Sequence, residues 1–284
     1  MNRIGRREFI GGTVALGACA ALGALARREP LLLDTKRMAI HDGPGIRTTF
    51  FVKGCPLHCV WCHNPESIGR EAQWARFQHL CQHCKQCTMD EATCPTRALK
   101  LYGKSATIED LVKKALEDKA FYDRTGGGVT ISGGEPLLFW EWTHEFLSAC
   151  KAAGLHTCVD TSLYAPSAAV EKLLPVTDMW LPDFKADDDT THQKYTGVSN
   201  EVIKKNLERL VAAKAKLEVR CLVVPGCTED MSARYAYLES IGIPRKDVVE
   251  LEYFDYARSK YKALGIPDTM PEKRGQERGK VGQG

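Results

Sequence analysis

Cys55, Cys59 and Cys62 stand in the stretch GCPLHCVWCHNPES with C-x3-C-x2-C spacing. Three thiolates set this close can hold three irons of a cubane [4Fe–4S] cluster and leave the fourth iron without a protein ligand. An open iron can bind and reduce something, whereas a plain electron carrier needs no such vacancy.

A second group, Cys81, Cys84, Cys87 and Cys94-Pro95, follows C-x2-C-x2-C-x6-C-P. It resembles a bacterial ferredoxin run, except that the last spacer is six residues rather than three. Only one such quartet exists, so all four cysteines are expected to share one [4Fe–4S] cluster. Tetrahedral zinc is the alternative, since four cysteines satisfy it too. The remaining cysteines, Cys19, Cys150, Cys158, Cys221 and Cys227, are scattered. In a chain of α/β pattern, grouped cysteines suggest metal rather than a disulfide framework.

The 284 residues suffice for one large α/β domain, and a hydrophobic content of 44% supports a sizeable core. A net charge of +3 without a long basic run points away from nucleic acid. Residues 1–30 read as a signal-like segment. Arg6-Arg7 precedes Phe9-Ile10 in the twin-arginine pattern, a Gly/Ala-rich stretch follows, and Ala24-Leu25-Ala26 forms an A-x-A cleavage site. That stretch is a poor membrane span, so no transmembrane segment is expected in the mature chain.

Elements must deliver these cysteines, and strand and helix patterns alternate from Leu31 onward. Strands are expected at Arg47–Val52, Gly128–Ser132, Thr157–Thr161, Asp178–Phe184, Leu217–Val224 and Val248–Leu251. Helices are expected from Thr107, with Asp110 completing the cap, and over Leu138–Ala152, Ala168–Leu174, Val202–Ala213 and Met231–Ile241. Repeated strand–helix units imply parallel strands. Gly134, Asp160 and Asp183 then fall at strand C-terminal ends, the functional edge of such sheets. The division is 31–72 for the start of the core with its cysteine loop, 73–103 for a ferredoxin-like insert, 104–265 for the rest of the core, and 266–284 for a disordered tail.

Together these motifs resemble the glycyl-radical enzyme activating enzymes, of the pyruvate formate-lyase activating type, within the radical S-adenosylmethionine (SAM) superfamily. DGPGIRTTFFVKGCPLHCVWCHNPES, GGGVTISGGEPL, DFK, TGVSN and VRCLVVPG occur in the family's order between about Leu31 and Gly265. The resemblance implies a partial, open (β/α)6 barrel with a small cysteine-rich insert. It implies that Cys55, Cys59 and Cys62 ligate the reducing cluster and that SAM chelates the open iron. Trp61 and His63 would lie along the adenine, although Trp61 can equally be core filler. Gly133 and Gly134 would let backbone carbonyls take the SAM ammonium, with Glu135 beside them; an ordinary tight turn is the plainer reading. Asp183 and Lys185, two apart, would serve a ribose hydroxyl and a carboxylate, or form a surface ion pair. Asp160-Thr161 and Asp183 match positions that hold a monovalent cation near SAM in related enzymes. Arg220 would add positive charge for the SAM carboxylate, or act as a structural barrel arginine.

By the same resemblance, reductive SAM cleavage gives methionine and a 5′-deoxyadenosyl radical that abstracts hydrogen from a backbone glycine of a partner enzyme. A flavodoxin- or ferredoxin-type donor supplies the electron. The implied compartment is the cytoplasm, against which the N-terminal segment suggests twin-arginine export. Phe254 departs from the family, standing where relatives carry a ribose-contacting histidine, and phenylalanine has no hydrogen bond to give. Two other functions share part of the pattern: a radical SAM enzyme acting on a small molecule or peptide, and an exported, non-catalytic iron–sulfur carrier.

Overall fold

In a computed structural model, which describes residues 29–272, strand–helix alternation builds one curved parallel array. The opening strand β1 (Leu32–Ala39) pairs antiparallel with β2 (Arg47–Val52). Next come a hairpin, β3 (Gln73–Arg76) and β4 (Leu99–Tyr102), and helices α1 (Ile108–Leu116) and α2 (Lys119–Thr125). The chain then alternates through β5 (Gly128–Gly133), α3 (Trp140–Ala152), β6 (His156–Thr161), α4 (Ser167–Leu173) and β7 (Met179–Pro182). It continues with α5 (Asp189–Thr196), α6 (Glu201–Ala212), β8 (Val219–Val223), α7 (Ser232–Ser240), β9 (Val248–Glu252) and α8 (Arg258–Leu264).

β2, β5, β6 and β7 pair in parallel in that order, and β8 pairs in parallel with β9. Two parallel bridges, Trp180↔Leu217 and Asp183↔Arg220, join the two sets. Backbone bonds from Trp180 N to Lys216 O at 2.8 Å and Phe184 N to Arg220 O at 2.8 Å run along the same seam. Six parallel strands with helices between them form the expected partial (β/α)6 barrel.

Strand alternation separates two environments. Phe50, Val129, Ile131, Val159, Trp180 and Cys221 turn outward into one core with Phe146 and Leu147 of α3, Val170 of α4 and Leu207 and Leu210 of α6. Thr130, Ser132, Asp160 and Arg220 bond within the barrel interior, which is polar. The helix starts follow local chemistry. Thr107 caps α1 by accepting from Asp110 N at 3.1 Å.

Several elements were not anticipated. β1 is an edge strand of mixed pattern, and α2 and α5 are short and polar. The cap signals of α5 are nonetheless present, with Asp188 accepting from Thr191 N at 2.7 Å and Gly197 left-handed at φ +83°. β3 and β4 frame the cysteine-rich insert at its two ends. Residues 266–272 are not the disordered start of a tail: Met270 is 5% exposed, and Arg258 donates to Met270 O at 3.0 Å and Pro271 O at 2.8 Å. The twin-arginine and cleavage motifs and Cys19 lie outside the described residues. Among the described residues no helix is long and apolar enough to cross a membrane.

Candidate functional site

The cysteine loop leaves the C-terminal end of β2 and is fixed from three sides. Gly54 N and Cys55 N donate to Ser67 O at 2.7 Å and Ile68 O at 3.1 Å. His58 N and Val60 N donate to Thr196 O at 2.8 Å and Tyr195 O at 3.0 Å, at the end of α5. On the third side, Tyr261 OH donates to Cys62 O at 3.0 Å and Thr269 Oγ1 to Val60 O at 2.9 Å. The spacing thus meets a rigid frame built from distant parts of the chain.

All three thiols are perturbed in one direction. Burial pushes Cys62 up to about 12, with the neighbouring Cys59 adding to it. Burial likewise raises Cys55, helped by Glu135, and raises Cys59, where the Lys185 ammonium acts in the opposite sense. Ligation needs thiolates, and three half-buried thiolates of like charge are unfavourable unless a cation compensates them. An iron–sulfur core supplies that charge, so the donor set fits the group.

The glycines at the end of β5 answer to the loop itself. A Cβ on Gly134 would lie 2.2 Å from Gly54 O, and one on Gly133, whose φ is +124°, would lie 2.2 Å from Val52 N. They let β5 and the cysteine loop touch backbone to backbone. Glu135 is 0% exposed and turns inward, rather than standing open beside the glycine carbonyls. Its carboxylate accepts from Thr161 Oγ1 at 2.6 Å, Ser162 N at 2.8 Å, Leu137 N at 3.0 Å and the Ser162 hydroxyl.

Four charges from three adjacent strand ends meet at the barrel mouth. Asp160 accepts from Ser132 Oγ at 2.6 Å and lies 3.5 Å from Arg220 Nη1. Lys185 Nζ sits 2.7 Å from Asp183 Oδ2 with its side chain 13% exposed, so this pair is a half-sunken one rather than a surface pair. Burial pulls the Lys185 ammonium down, but Asp183 and the Cys59 thiol outweigh it and leave it raised. Burial raises the Asp160 carboxyl, opposed by Arg220 and reinforced by Asp183. Arg220 also donates to His41 O at 2.6 Å, which ties it to the loop before β2. The Thr161 hydroxyl donates to Glu135.

Trp61, expected along the adenine, is 3% exposed and packs with Tyr253, Ala257, Tyr261 and Met270. The His63 ring bonds the Phe254 carbonyl. Sequence reasoning missed Lys260 and Tyr261, which reach the cysteine loop from α8; their only local signal was one lysine and one tyrosine in a short helix.

In the insert, Cys81, Cys84, Cys87 and Cys94 line one cavity of about 330 Å³. Backbone N–H groups, first that of Leu99, hold the Cys94 thiol below its usual range. Among the described residues no three Cys, His, Asp or Glu side chains draw together about the position of one ion.

Comparison with known proteins agrees with this geometry. Residues 49–235 match the radical SAM superfamily model. The chain is 38% identical to the (2S)-3-sulfopropanediol dehydratase activating enzyme of Klebsiella oxytoca, over 84% of this chain and 87% of that one. It is 32% identical to the pyruvate formate-lyase 2-activating enzyme of Escherichia coli, over 85% and 83% respectively. Among solved structures, Streptococcus suis SuiB bound to its precursor peptide SuiA matches in fold, with TM-score 0.51 and 15% identity over 74% of this chain and 39% of that one. The fold and the cysteine loop place the molecule among radical SAM enzymes. Within that class, the chain belongs to the glycyl-radical enzyme activating enzymes.

Proposed function

We propose that Cys55, Cys59 and Cys62 hold the SAM-binding [4Fe–4S] cluster and that this chain uses it to place a radical on a backbone glycine of a partner enzyme. One observation carries the reading: the half-buried cysteine loop and the charged side chains of Asp183, Lys185, Asp160 and Arg220 meet at one barrel mouth. When bound, cluster and SAM supply a one-electron cleavage that yields a hydrogen-abstracting radical.

The residues' own work is to bind, orient and exclude water. Gly133 and Gly134 bring β5 against the loop and leave strand-end carbonyls near it for an ammonium. Lys185 offers a positive charge to a carboxylate, and Asp183 an acceptor for ribose hydroxyls. Arg220 balances Asp160 and keeps the loop at His41 in place. Asp160 and Asp183 are where a monovalent cation would sit. Trp61 and His63 carry the loop's packing and hydrogen bonding, and an edge of this pair can border the adenine.

The insert is read as a second [4Fe–4S] site rather than zinc. The ferredoxin-like order of Cys81, Cys84, Cys87 and Cys94-Pro95 supports that reading. Its exposed position suits a flavodoxin- or ferredoxin-type electron donor. The SAM and reductant requirement goes with activity in the cytoplasm, with twin-arginine export as the other reading of the N-terminus. Anaerobic mixing of reconstituted protein, SAM, reductant and a candidate glycyl-radical enzyme should produce the electron paramagnetic resonance doublet of a glycine Cα radical. SAM turnover with hydrogen taken from a small molecule, and no doublet on any such partner, would overturn the assignment.

A further inference from the structure

The cluster-binding loop is held by a part of the chain nearly two hundred residues away. Every backbone carbonyl from Val60 to His63 for which a side-chain partner is seen is taken by the C-terminal segment. Thr269 Oγ1 reaches Val60 O, Tyr261 OH reaches Cys62 O, and Lys260 Nζ reaches His63 O at 2.9 Å. Lys260 donates twice more, to Asn64 Oδ1 at 2.9 Å and Glu66 Oε1 at 2.6 Å. In return, the His63 ring bonds the Phe254 carbonyl, and Trp61 sits among Tyr253, Ala257, Tyr261 and Met270.

Two features show that this is a built contact rather than an incidental one. Glu66 is 3% exposed, its Oε2 has no hydrogen-bond partner, and Lys260 is the cation bonded to its carboxylate, with the buried Lys53 ammonium close by on the Glu66 backbone carbonyl. The segment is itself braced: Arg258 contacts Asp255 at 3.0 Å, Asp268 at 2.7 Å and the Met270 and Pro271 carbonyls, and Tyr253 OH donates to Pro271 O at 2.7 Å. Beyond the loop, Ala263 and Leu264 of α8 pack against Leu33, Ala75 and Tyr102. α8 therefore touches both the cysteine loop and the opening strand β1.

We infer that residues 253–271 form a clasp on the cluster loop, with Lys260 and Tyr261 as positioning residues for the Cys55/Cys59/Cys62 cluster. The inference rests on the reading that these cysteines hold that cluster. The clasp fixes the loop's backbone around Cys62 while leaving the thiols to the iron. Loosening it at Lys260 and Tyr261 frees the loop to open and release the cluster, while the insert, whose β3 and β4 meet α8 through Ala263 and Leu264 and not through those two side chains, keeps its own.

The test uses the reconstituted full-length protein and the variants Tyr261→Phe, Lys260→Met and their double. Cluster loss to an iron chelator is followed under anaerobic conditions, and the SAM-responsive electron paramagnetic resonance signal identifies which cluster is lost. The double variant is expected to lose the SAM-responsive cluster about tenfold faster than wild type, equivalent to about 1.4 kcal/mol. Loss of the insert cluster should be unchanged, and Lys260→Arg should restore most of the difference. Tyr261→Phe removes one hydroxyl only and carries the test if Lys260→Met does not fold. Loss at the wild-type rate in every variant overturns the clasp. So does equal acceleration at both clusters with a lowered melting temperature, which marks general destabilisation. Wild-type protein that never acquires a SAM-responsive cluster overturns the underlying reading, and the clasp with it.

Discussion

Single residues here are chosen for what their backbone must touch. Gly134 and Gly126 make the contrast. Gly126 caps α2 at φ +69° with nothing near a Cβ, so Ala there costs only the left-handed backbone penalty, about 1 kcal/mol. Gly134 has no room, because a Cβ would lie 2.2 Å from Gly54 O, one residue before Cys55. Gly134→Ala is expected to destabilise the apoprotein by about 3 kcal/mol or more, and to lower iron uptake at the loop, measured by denaturant titration and iron assay. Equal effects of the two substitutions would contradict the close-approach role. Glu135 teaches a related lesson. The family resemblance set it beside the glycine carbonyls, and four donors from its own surroundings bond its carboxylate. Sequence spacing marks such a residue without telling which neighbour it serves.

Elements were legible where pattern and burial agree. β5, α3, β6, α6 and β8 carry apolar residues at strand or helix spacing because each covers the core, and they fall within a few residues of expectation. β1 was not legible, since it is an edge strand with five of its eight residues partly or fully exposed between its buried positions, and its partner lies in the next segment. Its place is set by charge. Arg37 binds Asp118, which precedes α2, through Nε at 2.8 Å, and Thr48 Oγ1 donates to the same carboxylate at 3.0 Å. The Arg37 bond first, and then Thr48, hold the Asp118 carboxyl below its ordinary value. A carboxylate depressed in the folded state stabilises the fold above its unfolded pKa, and that stability is lost as pH falls through the folded value. Asp118→Asn should therefore lower the melting temperature near pH 7, with the gap to wild type closing as pH falls below the ordinary carboxylate value of about 4. A gap independent of pH would show that the charge is not what holds β1 to α2.

At the scale of the whole molecule, the barrel interior explains why the site could be read at all. Ser132, Asp160, Asp183 and Arg220 sit on adjacent strands with inward-facing side chains, so alternation along each strand gathers them at one mouth. The C-terminal crossing could not be read the same way. Lys260, Tyr261, Thr269 and Met270 look like the end of a polar helix and the start of a loose tail, and their meaning depends on Cys62 and Glu66, far back in the chain. Long-range closure of this kind leaves no local period. It also sets Ala263 and Leu264 of α8 against Leu33 of β1 and against β3 and β4.

The most direct measurement is SAM cleavage by the anaerobically reconstituted protein with dithionite as reductant. Equal amounts of 5′-deoxyadenosine and methionine are expected from wild type, and none from Cys59→Ser. A protein that holds its full complement of iron yet leaves SAM intact would contradict the open-iron reading of Cys55, Cys59 and Cys62.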